Sequence, residues 1–213
     1  MSHFTVLVVG EDPETQLDPF NEELQVEKYT AETREELIEN QKRQINLMRD
    51  NSYAEYLANS TAYLEKNKFN QNHCNYFVNG EFAEALSWSD EQLYLDATKY
   101  LELHELDGNG GRLSTYNPKS KWDWYEVGGR WDGYLETRNG EKVNQATIGE
   151  IDLATLEPVF AVLKGGEWHE KGAMGWWGMV ADKKEGEDWN VEFKRLLEGL
   201  PDDTPLTLVD CHI

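Results

Sequence analysis

The sequence predicts an α+β fold over a single domain, 1–213, with a mixed β-sheet, helices packed on one face and an antiparallel meander at about 121–148. Three observations predict it. Two runs near the ends of the chain, HFTVLVV at 3–9 and PLTLVDCH at 205–212, are apolar at nearly every position, which is the pattern of strands covered on both faces. Residues 188–200 place Trp189, Phe193, Leu196, Leu197 and Leu200 on one stripe at helical spacing. Between 121 and 148 the turn signals Gly128-Gly129 and Asn139-Gly140 separate short runs that alternate as strands do.

Taken in order, Gly10 closes the first strand, and residues 11–30, with Pro13 and Pro19, read as irregular. A helix is expected over 31–49, with Leu37, Ile38, Ile45 and Met48 on its apolar side. Its acids stand early and its bases late, as the helix dipole favours. A second helix is expected at 53–66. The Asn- and aromatic-rich stretch 67–80 reads as a loop or short strand. Ser89 and Gln92 form a capping box, and the helix they open is expected to reach Glu105, with Leu93, Ala97, Tyr100, Leu101 and His104 on one face. DGNGG at 107–111 is a turn signal. It opens like a calcium loop, but Arg112 and Pro118 stand where such a loop needs Gly and Glu, so that reading is rejected. The meander is expected as strands 121–127, 130–138 and 141–148, the last two joined by a type I′ turn at Asn139-Gly140. A buried strand at 158–163, a turn at Gly165-Gly166 and the helix and strand named above complete the chain.

The formal net charge is −21. Nonspecific binding to nucleic acid or to an anionic membrane needs a basic face, so direct nucleic-acid binding and membrane binding are not expected. No apolar run approaches the ~20 residues of a membrane span. The opening lacks the basic region and cleavage site of a signal peptide. With only two cysteines, a cytoplasmic protein with free thiols is expected.

Six of the eight tryptophans, Trp122, Trp124, Trp131, Trp168, Trp176 and Trp177, fall in two glycine-rich blocks, KWDWYEVGGRWDGY and GEWHEKGAMGWWGM. Flat rings beside glycines suit a site where backbone approaches a ligand. Alternation puts Trp122, Trp124 and Glu126 on one strand face and Asp123 and Tyr125 on the other. Trp122 and Trp124 are candidates to stack a planar ring. Arg130 and Lys171 are candidates to hold an anion, the former through its forked donor. The competing reading is an aromatic core in which Arg130 pairs with Glu126 or Asp132. His169, flanked by Glu170, is a candidate for proton transfer; an exposed loop histidine is the alternative. At the C-terminus, Asp210 and His212 share a face and Cys211 points away, so Asp210 could orient His212 as a second catalytic pair. His3 enters only as a possible third ligand if those two held a metal, and His73, Cys74 and Cys211 make a weak zinc set because no C-x-x-C occurs. No metal is therefore assigned, and the cofactor is left unknown. Phosphate-loop fingerprints and the common hydrolase signatures are absent. The paired His-x-Thr/Ser motifs of 2H phosphoesterases are also missing, since His3-Phe4-Thr5 offers only one.

The blocks SHFTVLVVG (2–10), NPKSKWDWYEVGGRW (117–131), WHEKGAMGWWG (168–178) and VDCHI (209–213) resemble those of a group of uncharacterised bacteriophage and bacterial proteins. The resemblance spans the chain and implies a phage or bacterial cytosolic protein. It assigns no activity, so no residue role is carried over from it.

From the residues, the expected function is binding of a small phosphorylated, ring-containing, nucleotide-like ligand in an aromatic pocket, with hydrolysis or transfer as candidate reactions. Trp122 or Trp124 would stack the ring, Arg130 would hold the phosphate, and His169 or His212 would move protons. The alternatives are a non-catalytic acidic phage factor that inhibits a host nucleic-acid-binding or defence protein, and a sponge for a nucleotide signal.

Overall fold

The computed structural model describes residues 2–174 and 179–213; Trp176 and Trp177 lie outside them. The chain runs β1 (His3–Val9), α1 (Pro13–Leu17), β2 (Tyr29–Glu32), α2 (Arg34–Met48), α3 (Ala54–Ala58), α4 (Ser60–Lys66), α5 (Gln71–Val78), α6 (Glu81–Ala85), α7 (Asp90–Thr98), β3 (Arg112–Ser114), β4 (Trp124–Val127), β5 (Leu135–Glu136), β6 (Lys142–Val143), β7 (Gln145–Thr147), β8 (Ala161–Lys164), β9 (Glu167–Glu170), β10 (Ala173–Met174), β11 (Val180–Ala181), α8 (Gly186–Leu197) and β12 (Pro205–His212). The class is α+β with a mixed sheet, as the sequence predicts. The chain forms two compact units, residues 1–26 with 116–213 and residues 27–115.

The first unit is built on a six-stranded sheet of order β4–β12–β1–β8–β9, with β7 also paired to β12. The two apolar runs lie side by side at its centre. β1 and β12 are antiparallel, His3 opposite His212 and Val9 opposite Leu206. β1 and β8 are parallel. Because side chains alternate, each central strand feeds two cores. Leu7, Val9, Val162, Leu206 and Leu208 pack with Trp189, Phe193, Leu196 and Leu197 of α8. On the opposite face Phe4, Val6, Val8, Leu163, Val209 and Cys211 pack with Leu17 of α1, Phe20 and Trp122. The unit's one long helix thus lies on one face, and a short helix with aromatic rings closes the other.

The 121–148 stretch departs from a continuous three-stranded meander. β4 pairs with residues 209–212 of β12, and β7 pairs with residues 205–207 of the same strand. Both therefore lie along one edge of β12, and residues 128–144 leave the sheet between them. That excursion holds a 3₁₀ turn at Gly129–Trp131 and the β5–β6 hairpin. The hairpin turn is where Asn139-Gly140 predicts it, but its type differs. Glu136 pairs with Lys142, Thr137 N–H donates to Glu141 O at 2.9 Å, and of the turn residues only Gly140 has positive φ, +83°. This is a three-residue loop with glycine in the left-handed position. Anchoring at both ends by β12 fixes the strands here, which local alternation cannot reveal.

In the second unit, α2 to α7 surround Ile38, Ile45, Tyr63, Phe77, Phe82, Ala85 and Leu93. The capping box at Ser89 and Gln92 is present, and Thr33 with Glu36 makes another at the start of α2. The 67–80 stretch is corrected from loop or strand to the helix α5. Asn70 caps it by accepting from His73 N–H, and Cys74 and Phe77, three apart, are buried on one side. α7 stops at Thr98 rather than Glu105, which leaves Tyr100 87% exposed instead of on the buried face. Among the described residues, no helix is long and apolar enough to cross a membrane.

Candidate functional site

Beyond Leu208 the face of β12 that meets α8 changes from aliphatic to ionisable. Asp210 and His212 share that face, as alternation predicts, while Cys211 points into the opposite core. The sheet register sets Thr5 and His3 of β1 beside them and Glu126 and Trp124 of β4 on the other side. The result is two Asp–His pairs. His3 Nδ1 lies 2.9 Å from Asp210 Oδ1. His212 Nδ1 lies 2.5 Å from Asp123 Oδ1. The two imidazoles meet edge to face with ring centres 4.9 Å apart, and Trp124 stands edge-on to His3 at 6.3 Å. Asp210 is 1% exposed, whereas Trp124 is 50% exposed, so the pairs grade from the core to the surface. A carboxylate on Nδ1 fixes the ring and its tautomer and leaves Nε2 for chemistry.

Local backbone explains how the second carboxylate arrives. Trp122 is bridged to Asn21, the chain bends at Asp123, and Asp123 N–H donates to His212 O at 3.0 Å. The bend breaks the expected alternation. Trp122 does not share a face with Trp124. It is buried on the opposite side of the sheet, edge-on to Tyr125, with its indole N–H donating to Leu17 O at 3.1 Å. Trp122 is therefore core, and Asp123 takes the site position.

The Gly128-Gly129 turn lets backbone approach closely, but what it approaches is the protein's own side chains. A Cβ on Gly129, at φ +51°, would lie 2.5 Å from Asp210 Cβ. A Cβ on Gly128, at φ +74°, would overlap the Asn144 side-chain amide. Asn144 in turn holds the loop, donating to Asp132 Oδ1 and accepting from Gly133 N–H, each at 2.7 Å. The tight turn delivers Arg130 N–H to Asp210 Oδ2 at 3.0 Å. Both Asp210 oxygens are thus occupied, one by His3 and one by the backbone. The Arg130 side chain is exposed, and no carboxylate of the described residues, Glu126 and Asp132 included, pairs with it.

The second aromatic block does not join this cluster. β9 is the opposite edge from β4, four strand spacings or roughly 19 Å away. His169 faces the α8 side from that edge, 3.7 Å from Glu167 Oε2 and 3.9 Å from Glu192 Oε1, both beyond hydrogen-bond length. Its sequence neighbour Glu170 points to the other face, where it pairs with Lys121 and accepts from the Trp168 indole. Lys171 is half-buried next to that edge, its N–H donating to Phe160 O at 2.9 Å. Trp168 packs on Phe4 and Phe20, and Trp131 packs at the margin of the α8 core. Of the sequence-predicted site residues, then, Trp124, Asp210 and His212 come together, Arg130 joins them through its backbone N–H, and Trp122, His169 and Lys171 stand elsewhere.

Two members were missed as catalytic candidates, His3 and Asp123. His3 was legible: strand alternation and adjacent terminal strands place it opposite His212. Asp123 depends on a bend that no local signal announces. Among the described residues no group of three His, Cys, Asp or Glu side chains is disposed to hold a metal. The Cys211 thiol is held far above its ordinary range, first by burial and then by the charge of Asp210. A cavity of about 610 Å³ in the second unit is lined by Tyr76, Trp88, Asp96, Lys99 and Tyr100 among others and holds none of these histidines. Compared with known protein families, curated proteins and solved structures, the chain matches no family model, no curated protein and no solved structure.

Proposed function

We propose that the face bearing His3, Asp123, Trp124, Arg130, Asp210 and His212 binds a small phosphorylated, ring-containing ligand and moves protons on it. The observation that carries this reading is the pair of carboxylate-anchored imidazoles side by side. The buried Asp210 carboxylate on His3 Nδ1 costs desolvation, and a second, half-exposed carboxylate, Asp123, holds His212 beside it. Trp124 offers a half-exposed ring on which a planar group stacks. Arg130 offers an exposed, forked donor matched to phosphate oxygens. Asp210 and Asp123 orient His3 and His212, whose Nε2 atoms act as proton donor and acceptor. The resemblance to bacteriophage and bacterial proteins is consistent with action in a bacterial cytoplasm.

Calorimetry with adenosine monophosphate tests this reading. Arg130→Ala is expected to weaken binding by about 1.5–3 kcal/mol, roughly ten- to hundred-fold, with thermal melting unchanged, because it is the Arg130 backbone that holds Asp210. Trp124→Ala is expected to weaken it as well. Lost stability with intact affinity would remove Arg130 from the site.

A further inference from the structure

Building on the reading of this face as a ligand site, we infer that its substrate class is a singly charged phosphodiester of a ring-bearing alcohol, such as a cyclic nucleoside phosphodiester. The two imidazoles cleave it as an acid and base pair.

Two features select the class. The first is the number of proton-transfer groups. One imidazole suffices to activate a nucleophile, but two in contact, 4.9 Å between ring centres, with both Nδ1 atoms occupied by carboxylates, serve two oxygens of one small group. A phosphodiester presents that demand. One oxygen must lose a proton to attack phosphorus, and an alkoxide leaving group must gain one. The second feature is charge. Asp123, Asp210 and Glu126 all stand at this end of the sheet, the loop fixes the backbone of Arg130 at Asp210 and leaves its side chain exposed, and the chain carries −21. A phosphodiester carries one negative charge, a phosphomonoester about 1.5–2 at neutral pH, and a polyphosphate more. Each added charge costs against this background, so a single guanidinium suits the diester.

The step balances without a metal, oxidant or further reactant. Water gives a proton to Nε2 of the neutral imidazole as its oxygen bonds to phosphorus. The bond from phosphorus to the ester oxygen breaks, and that oxygen takes a proton from Nε2 of the protonated imidazole. Diester and water become monoester and alcohol, and exchange with solvent resets the two rings.

The test uses the full chain with bis(p-nitrophenyl) phosphate and p-nitrophenyl phosphate, followed by release of p-nitrophenolate. The expected result is cleavage of the diester, with the monoester cleaved at least ~100-fold more slowly. His3→Asn and His212→Asn each keep an amide where Nδ1 was, and so a partner for Asp210 or Asp123, but lose Nε2. The variant that removes the base is expected to lose about 100-fold or more of the rate, the scale of one acid or base. The variant that removes the acid is expected to lose less, because nitrophenolate departs with little need of a proton, and both keep the melting temperature. Monoester cleaved as fast as diester, neither cleaved, or both variants fully active would each overturn the inference. In those cases Arg130-dependent binding of adenosine monophosphate would leave the ligand site standing, and absence of that binding would remove both.

Discussion

Gly129 shows how narrowly a single residue sets this site. Its backbone is left-handed and a methyl group there would overlap Asp210. Alanine costs about 1–2 kcal/mol for the conformation alone, and displacement of Asp210 adds to it. Gly129→Ala is expected to lower the urea midpoint with little change in slope and to free His3 from its carboxylate. Cys211 gives a second expectation at this scale, in pH. Burial holds its thiol protonated well above the ordinary value of 9.0, and burial likewise raises the phenols of Tyr125 and Tyr134 above 10.0. Above those ordinary values the unfolded chain loses protons that the folded chain keeps. Stability contributed by these groups is therefore full below about pH 8.5 and falls as pH rises. Urea melts at pH 8 and pH 10 should show it, and Cys211→Ala should shrink the difference between them.

At the scale of elements, β12 bears more of the first unit than any other strand. It pairs with β1, β4 and β7 and supplies Leu206 and Leu208 to one core and Val209 and Cys211 to the other. Deleting residues 209–213 removes the whole β4 pairing, the buried Val209 and Cys211 side chains and both Asp–His pairs. Circular dichroism should show loss of cooperative melting, and a truncated chain that melts unchanged would contradict this role. α8 illustrates the opposite case, an element that its own sequence declares. Trp189, Phe193, Leu196 and Leu197 recur at helical spacing and are all buried, and Trp189 also finds a partner for its indole N–H in Val159 O at 2.8 Å.

Over the whole molecule, net charge sets how stability responds to salt. At −21 self-repulsion opposes the compact state, and most of the ion pairs lie at exposed side chains that contribute little each. Salt shortens the reach of that repulsion from ~30 Å at 0.01 M to ~3 Å at 1 M. The melting temperature is expected to rise with sodium chloride over that range. A fall would mean that the ion pairs outweigh the repulsion.

The sequence by itself determined what is local and periodic. The apolar runs at 3–9 and 205–212, the stripe of α8, the capping box at Ser89 and the shared face of Asp210 and His212 all follow from steric alternation or helical spacing, so they were legible without neighbours. Only the tertiary structure decided which strands adjoin and where ionisable groups meet. Sheet order sends His169 to one edge and Trp124 to the other, though both belong to blocks rich in tryptophan and glycine. A bend at Asp123 turns Trp122 into core and Asp123 into the partner of His212. β4 and β7 become strands because β12, far along the chain, offers its edge to both. These outcomes rest on hydrogen bonds between residues distant in sequence, whose closure entropy is repaid only by the assembled sheet. A local pattern cannot encode them.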